Sequence, residues 1–315
     1  MRAAVVTEPQ ATPVCAEFPD PEPLPGRSPL RLVGAGLHHV VRGVASGRHY
    51  GSSGVYPLVP GVDAVARTED GRLVYTGLAR SPWGTMAELM VTPFEVDLPA
   101  GADPLAVAAG MNPAMSGWMP LAARRREAGD IGTVLVLGAT GMSGGLAVRA
   151  ALSLGAKQVI AAGRDREALE PLGDLGAVTV PLTADRDDRV AALAAAIAEN
   201  PPALVLDFVW GPVAEAAFTA LGRAGTHEPV EYVQIGSLAG DEASLPAALL
   251  RGGRVRISGS GMGSVSKEQI IAELPEILAR FGDGTFVAPH TPYPLSRVGE
   301  AWAHEGRTRA VVVPD

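Results

Sequence analysis

One stretch, TVLVLGATGMSGGLAVRAALSLGA over residues 133–156, constrains the chain more than any other. Its first five residues are a continuous β-branched and aliphatic run, the pattern of a strand buried on both faces. Glycines follow at 138, 141, 144 and 145, and a small-residue helical pattern then runs to Leu154, with Gly155 as its stop. A strand that turns sharply into a helix, with glycine where a side chain would block approach, aims unpaired backbone N–H groups and the positive helix end at one spot. That spot suits a phosphate. The diphosphate of a dinucleotide is therefore expected on Gly138, Ala139, Thr140, Gly141, Met142 and Ser143. A glycine-spaced turn by itself also occurs in connections that bind nothing, but here strand and helix stand on either side of it.

The next strand, over 158–162, ends in Gly163 and Arg164, about twenty residues past Gly144. In a dinucleotide fold that tip meets the adenosine ribose, where an acid accepts from the 2′-hydroxyl of NAD and an arginine pairs with the 2′-phosphate of NADP. Arginine comes first here, so the expected coenzyme is NADPH. Asp165 follows at once and either reaches a ribose hydroxyl or starts the next helix.

With 315 residues, 47% hydrophobic and 19% charged, the chain is long enough for two globular domains and is not expected to be disordered. A net charge of −8 with no basic face beyond the run 124–126 argues against nucleic acid as a partner. One cysteine, Cys15, allows neither an internal disulfide nor a cysteine-based zinc site. The N-terminal MRAAVVTEP reads as a first strand, not as a signal peptide. The longest uncharged stretch, from 104 to 123, is broken by prolines and an asparagine, which argues against a membrane span. A cytoplasmic protein is expected.

Up to about residue 99, short strands alternate with glycine and proline, the better ones over 2–6, 30–33, 64–68, 73–76 and 87–91. Such spacing suits a small β-barrel. Residues 103–123 read as a helical link interrupted at Asn112 and Pro113. From 129 onward the texture changes to strands over 133–137, 158–162, 177–181, 203–208, 231–235 and 254–258. Helices are expected between them near 144–154, 165–173, 186–199 and 213–222, with another at 266–281. This is an α/β doubly wound parallel sheet. The tail, 286–315, returns to proline-broken strands around a turn or two of helix at 296–304. A β tail after a complete nucleotide-binding unit is expected to rejoin the first domain and leave a cleft between the two parts for a ligand.

The order of these pieces resembles the medium-chain dehydrogenase/reductase superfamily, in its zinc-independent quinone oxidoreductase-like branch. The residues that carry the resemblance are PGVD (60–63), PWGTMAEL (82–89), MNPAMSGWMPL (111–121), the glycine turn at 138–145, IGSLAG (235–240) and GSGMGS (259–264). The resemblance implies a GroES-like β-barrel catalytic domain over 1–118 and 283–315 and a Rossmann NADP-binding domain over 119–282. It also extends the coenzyme site to Asn112, Ser116, Ile235, Gly236, Ser237, Ser260, Gly261 and Met262. Where the zinc enzymes of the superfamily carry a cysteine, this chain has Leu37, His38 and His39, and where they carry Gly-His-Glu it has Gly61, Val62 and Asp63. Asn112 stands near the third ligand position, and the structural-zinc cysteines are missing. Val62 cannot ligate, so no metal is expected.

Without a metal the expected chemistry is hydride transfer to an electron-poor acceptor, a quinone or an α,β-unsaturated carbonyl, whose conjugation spreads charge onto an oxygen that a hydrogen-bond donor can stabilise. The segment 37–61, read as a loop, holds three of the six histidines and two of the five tyrosines. Tyr50 is the first choice for the donor and His39 the second. On an extended segment His38 and His39 point to opposite faces, so only one of them can face the coenzyme. Trp210 either walls the acceptor site or packs on the helix that follows it. His49, His227, His290 and His304 read as surface groups, and Arg307 or Arg309 as closing over the coenzyme or as solvated. Two rival functions stay open: a reductase of an imine or carbonyl on a specialised biosynthetic intermediate, and a non-catalytic NADPH-binding sensor. The partner is a small molecule, with a homodimer expected through the strand at 254–258.

Overall fold

A computed structural model describes residues 1–225 and 228–315, so His227 lies outside the described residues. The chain separates into two compact units, Met1–Pro113 with Leu274–Asp315, and Ala114–Glu273.

In the first unit, β1 (Arg2–Val5) pairs with β2 (Val14–Glu17) as an antiparallel ribbon. A larger sheet is built from β3 (Leu30–Gly36), β4 (Asp63–Arg67), β5 (Leu73–Gly77), β6 (Leu89–Met90) and β7 (Val96–Asp97). The hairpin between β4 and β5 is closed by TEDG, where Gly71 takes φ +90°, Thr68 N donates to Arg72 O at 3.0 Å and Arg72 N donates to Thr68 Oγ1 at 2.9 Å. Between β3 and β4 comes helix α1 (His39–Ala45), which corrects the reading of 37–61 as a loop throughout. Val40, Val41, Gly43 and Val44 are poor helix formers, and no side chain caps the helix. It forms because Val41 and Ala45, one turn apart, are buried.

Helix α2 (Pro104–Ala128) runs 25 residues without a break, which corrects the interruption expected at Asn112 and Pro113. Proline forfeits one hydrogen bond, at a cost of about 3 kcal/mol. The burial of Met111, Ala114, Trp118 and Leu121 outweighs it.

The second unit is a six-stranded, wholly parallel sheet. Its strands are β8 (Thr133–Leu137), β9 (Gln158–Gly163), β10 (Val178–Pro181), β11 (Leu204–Asp207), β12 (Val230–Gln234) and β13 (Val255–Gly259). They lie in the order β10-β9-β8-β11-β12-β13, so chain order reverses between β8 and β11. Helices α3 (Met142–Ser153), α4 (Arg166–Asp174), α5 (Arg186–Glu199), α6 (Gly211–Ala224) and the short α7 (Ala247–Gly252) connect them. Every residue of β8 is buried, as its unbroken apolar run requires. Helix α8 (Lys267–Gly282) follows β13.

The tail supplies β14 (His290–Pro294), a 3-10 turn at Leu295–Arg297, α9 (Val298–Trp302) and β15 (Arg309–Val313). β14 and β15 are parallel, and β15 pairs with β3. The first unit's sheet therefore runs β14-β15-β3-β4-β5-β7, with β6 beside β3. Among the described residues its two ends do not pair with each other, so the connectivity shown is that of a mostly antiparallel sheet. No helix among the described residues is long and apolar enough to cross a membrane.

Candidate active site

At the end of β8 the chain turns at Gly138, φ +86°. The amides of Gly138 and Ala139 both donate to the carbonyl of Ala162, each at 2.9 Å, which ties the turn to the tip of β9. Gly141 is the N-cap of α3 and brings no side chain to it. The first bond inside the helix is Gly145 N–H to Gly141 O at 2.8 Å, so the amides of Met142, Ser143 and Gly144 open out of the helix end. Gly144 is packed against the turn itself: a Cβ there would stand 2.2 Å from Gly138 O. Gly163 is closed in the same way by Thr140, whose Cγ2 would lie 2.4 Å from a Cβ. The result is a cradle of backbone donors at a helix N-terminus, with glycine wherever Cβ would fill it.

Arg164 is exposed at the β9 tip beside this turn. Asp165 settles its alternatives locally: its carboxylate accepts from Ala168 N at 3.2 Å and caps α4. Ile235, Gly236 and Ser237 follow β12, and Ser260, Gly261 and Met262 follow β13, so both groups share the carboxyl edge of the sheet with the glycine turn. The tip of β13 is three strands from β8, about 14 Å away at the usual strand spacing. Asn112 and Ser116 are half-buried along α2. Trp210 is half-buried too, and its ring packs edge-on against Phe218 of α6 at 5.8 Å, the second of its two readings.

In the first unit, Tyr50 is 72% exposed, with its ring centre 4.1 Å from that of His49 and tilted 31° to it. Its hydroxyl is not buried in the core. His38 and His39 do face apart, though at the entry to a helix instead of along a strand. His38 is buried, with Nε2 3.1 Å from Asp63 Oδ1, off the direction of a hydrogen bond. Asp63 Oδ2 accepts from Tyr75 O–H at 2.8 Å. His39 opens α1 with its ring reaching the surface, and its pKa is lowered by burial and by Arg309, Arg42 and His38. Arg309, half-buried, donates to Leu37 O at 3.2 Å, and Arg42 lies 5.6 Å over the Trp302 ring. Neither arginine pairs with a carboxylate among the described residues, so burial, with these charges beside it, holds His39 below the ordinary histidine value and favours the neutral ring at pH 7. Among the described residues no three His, Cys, Asp or Glu side chains gather closely enough to hold a metal.

Sequence reasoning overlooked Asp207 and Tyr232, whose side chains meet at 2.6 Å beneath the β11 tip. The signal was there: an aspartate closing the otherwise apolar strand LVLD.

A parallel sheet in this order, reversing beside a glycine turn, defines a Rossmann-type dinucleotide fold. No model of a known protein family matches the chain. It is 32% identical, over all of both chains, to a probable NADPH-dependent quinone reductase, tdiC, of Emericella nidulans. The quinone oxidoreductase of Thermus thermophilus, solved also with NADPH, is 25% identical over 99% of this chain and all of that one, with a TM-score of 0.78. An alcohol dehydrogenase superfamily protein of Novosphingobium aromaticivorans shares the fold at TM-score 0.82 and 21% identity over the whole of both chains. The chain belongs to the quinone oxidoreductases of the medium-chain dehydrogenase/reductase superfamily.

Proposed function

We propose that the chain is an NADPH-dependent oxidoreductase that passes a hydride to a quinone, and to an α,β-unsaturated carbonyl by the same chemistry. The observation that carries this is the backbone cradle at Gly138–Gly144, in a chain matched end to end by a quinone reductase. Bound NADPH supplies the hydride. The residues present fit it: the amides of Met142, Ser143 and Gly144 that open out of the helix end hold the diphosphate, and the exposed Arg164 guanidinium pairs with the 2′-phosphate. The tips of β12 and β13, with Asn112 and Ser116, complete the coenzyme contacts.

The second unit, over 119–282 by sequence, is the NADP-binding domain, and the first is the catalytic domain. Tyr50 donates to the acceptor oxygen, with neutral His39 as the other donor in the same unit. The donor set supports a zinc-independent reaction: His38 is buried with Nε2 facing Asp63 at 3.1 Å, and Val62 has no ligating atom. Among the described residues β13 pairs only with β12, which supports a homodimer joined along its outer edge. The single free cysteine, Cys15, suits a cytoplasmic setting.

The test is NADPH oxidation with a simple quinone and a simple enone, with and without a chelator. Turnover that survives chelation is expected, while turnover restored only by added zinc would overturn the mechanism. Cofactor binding without turnover on any acceptor would leave the sensor reading in its place.

A further inference from the structure

Asp207 is the one charged residue of the second unit that is buried among those described. A carboxylate at the end of an apolar strand is costly unless donors meet it. Here they do. Oδ1 accepts from the amides of Val209 at 2.8 Å and Trp210 at 2.9 Å, and Oδ2 accepts from Tyr232 O–H at 2.6 Å. The carbonyl of the same residue accepts from Ile235 N at 2.7 Å and Gly236 N at 3.1 Å. One residue thus ties the tip of β11 to the tip of β12.

The turn held in this way is strained. Trp210 has φ +57° and ψ −156°, a region left almost entirely to glycine, which costs a larger residue about 1–3 kcal/mol. Tyr232 supports it twice, through its hydroxyl on Asp207 and through its ring, 6.3 Å from that of Trp210. The turn is also wedged between its neighbours. A Cβ at Gly138 would stand 2.8 Å from Val209 Cγ1, and one at Gly236 would stand 2.6 Å from Phe208 O. Val209 O accepts from Ala239 N at 2.7 Å. Any relaxation of Trp210 therefore moves Val209 against the glycine turn and against the loop after β12.

We infer that Asp207, acting with Tyr232, is a positioning residue for the coenzyme site: it holds Trp210 in its strained turn, and through Val209 it fixes the glycine turn at Gly138 and the loop 235–240. This rests on the proposed reading that the glycine turn binds NADPH. Burial pushes the Asp207 carboxyl up while its donors oppose the shift, and burial with the carboxylate beside it raises the Tyr232 phenol, so Tyr232 stays a donor.

The test compares Asp207→Ala, Asp207→Asn, Tyr232→Phe and Trp210→Gly by NADPH titration and steady-state kinetics with a quinone. Wild-type protein that binds no NADPH overturns the functional reading and this role together; wild-type binding with an indifferent Asp207→Ala overturns the role alone. Asp207→Ala is expected to raise the NADPH KM about tenfold and to lower kcat, with the quinone KM unchanged. Asp207→Asn keeps an acceptor oxygen for the two amides and should recover most of both. In a Trp210→Gly background, where glycine takes the same angles without strain, Asp207→Ala should add less than about threefold, and full additivity would overturn the inference. If Asp207→Ala does not fold, Tyr232→Phe decides: a rise of about threefold in NADPH KM supports the role, and wild-type kinetics with only a lower Tm overturns it.

Discussion

Each unit buries one carboxylate against one tyrosine, and the two pairs differ in how completely they are satisfied. Asp207 receives Tyr232 O–H at 2.6 Å and two backbone amides, so both of its oxygens are occupied. Asp63 receives Tyr75 O–H at 2.8 Å on one oxygen, while the other faces His38 at 3.1 Å without a directed hydrogen bond. Neither ring nitrogen of His38 has a hydrogen-bond partner among the described residues. In the second unit the carboxylate finishes a frame made of backbone, and the candidate coenzyme site is itself made of backbone. In the first unit it faces another side chain at the entry to α1, and the candidate chemistry there belongs to side chains: His39, Tyr50, and Arg42 and Arg309, which pair with no carboxylate among the described residues.

The sharpest way to break that contrast uses two glycines closed to the same degree. A Cβ at Gly144 would stand 2.2 Å from Gly138 O, and a Cβ at Gly36 would stand 2.2 Å from Ala108 O. Backbone must move in both cases. Gly144→Ala should weaken NADPH about a hundredfold or more, because the donors it displaces are the site. Gly36→Ala should lower Tm and leave the NADPH Kd of the folded protein nearly unchanged. Equal losses of affinity in calorimetric titrations would mean that the coenzyme site is not confined to the second unit's backbone. Gly145→Ala is the control, since its Cβ meets Ala139 O at an ordinary 3.4 Å.

In the proposed reading, Arg164 is the side chain the second unit adds to its backbone site. A charge-assisted bond to a phosphate contributes about 1.5–3 kcal/mol. Arg164→Ala should therefore weaken NADPH roughly ten- to a hundredfold and leave NADH within about twofold. An equal effect on both coenzymes removes Arg164 from the 2′-phosphate.

The same contrast explains what could be read in advance. Thr133–Leu137 and the glycines after it were legible because a doubly covered strand and a close backbone approach each leave few residue choices. α1 was not legible, since HVVRGVA has the local preferences of a strand or loop and folds as helix only because Val41 and Ala45 find a core. α2 hid behind Pro113 for a related reason: local cost was visible and tertiary burial was not. Asp207 was written in the chain as an odd residue at the end of LVLD, but its partner Tyr232 is 25 residues on, and only the pairing of β11 with β12 brings them together.

The two tyrosines make a smaller and cleaner comparison. Tyr75→Phe and Tyr232→Phe each remove one buried hydroxyl from a carboxylate, at about 1–3 kcal/mol of stability. Both should lower the midpoint of urea unfolding by similar amounts. Only Tyr232→Phe should also change NADPH affinity. A change with Tyr75→Phe alone would reverse the roles assigned to the two pairs.

The smallest effect expected is a pH dependence in the first unit. His39 has its pKa lowered by burial and by Arg309, Arg42 and His38, so the folded protein binds a proton there less readily than the unfolded chain does. The unfolded state then binds more protons as pH falls through the ordinary histidine value of 6.5, and stability must fall with it. Above that value the contribution is constant, because His39 is neutral in both states. His39→Gln should flatten part of the decline in Tm below pH 6.5, and a remainder should persist because burial lowers the pKa of His49 in the same direction. An unchanged Tm profile in His39→Gln would mean that burial and the neighbouring arginines do not lower the pKa of this ring in solution. His39 would then lose its basis as a neutral donor, and Tyr50 would be left in that role.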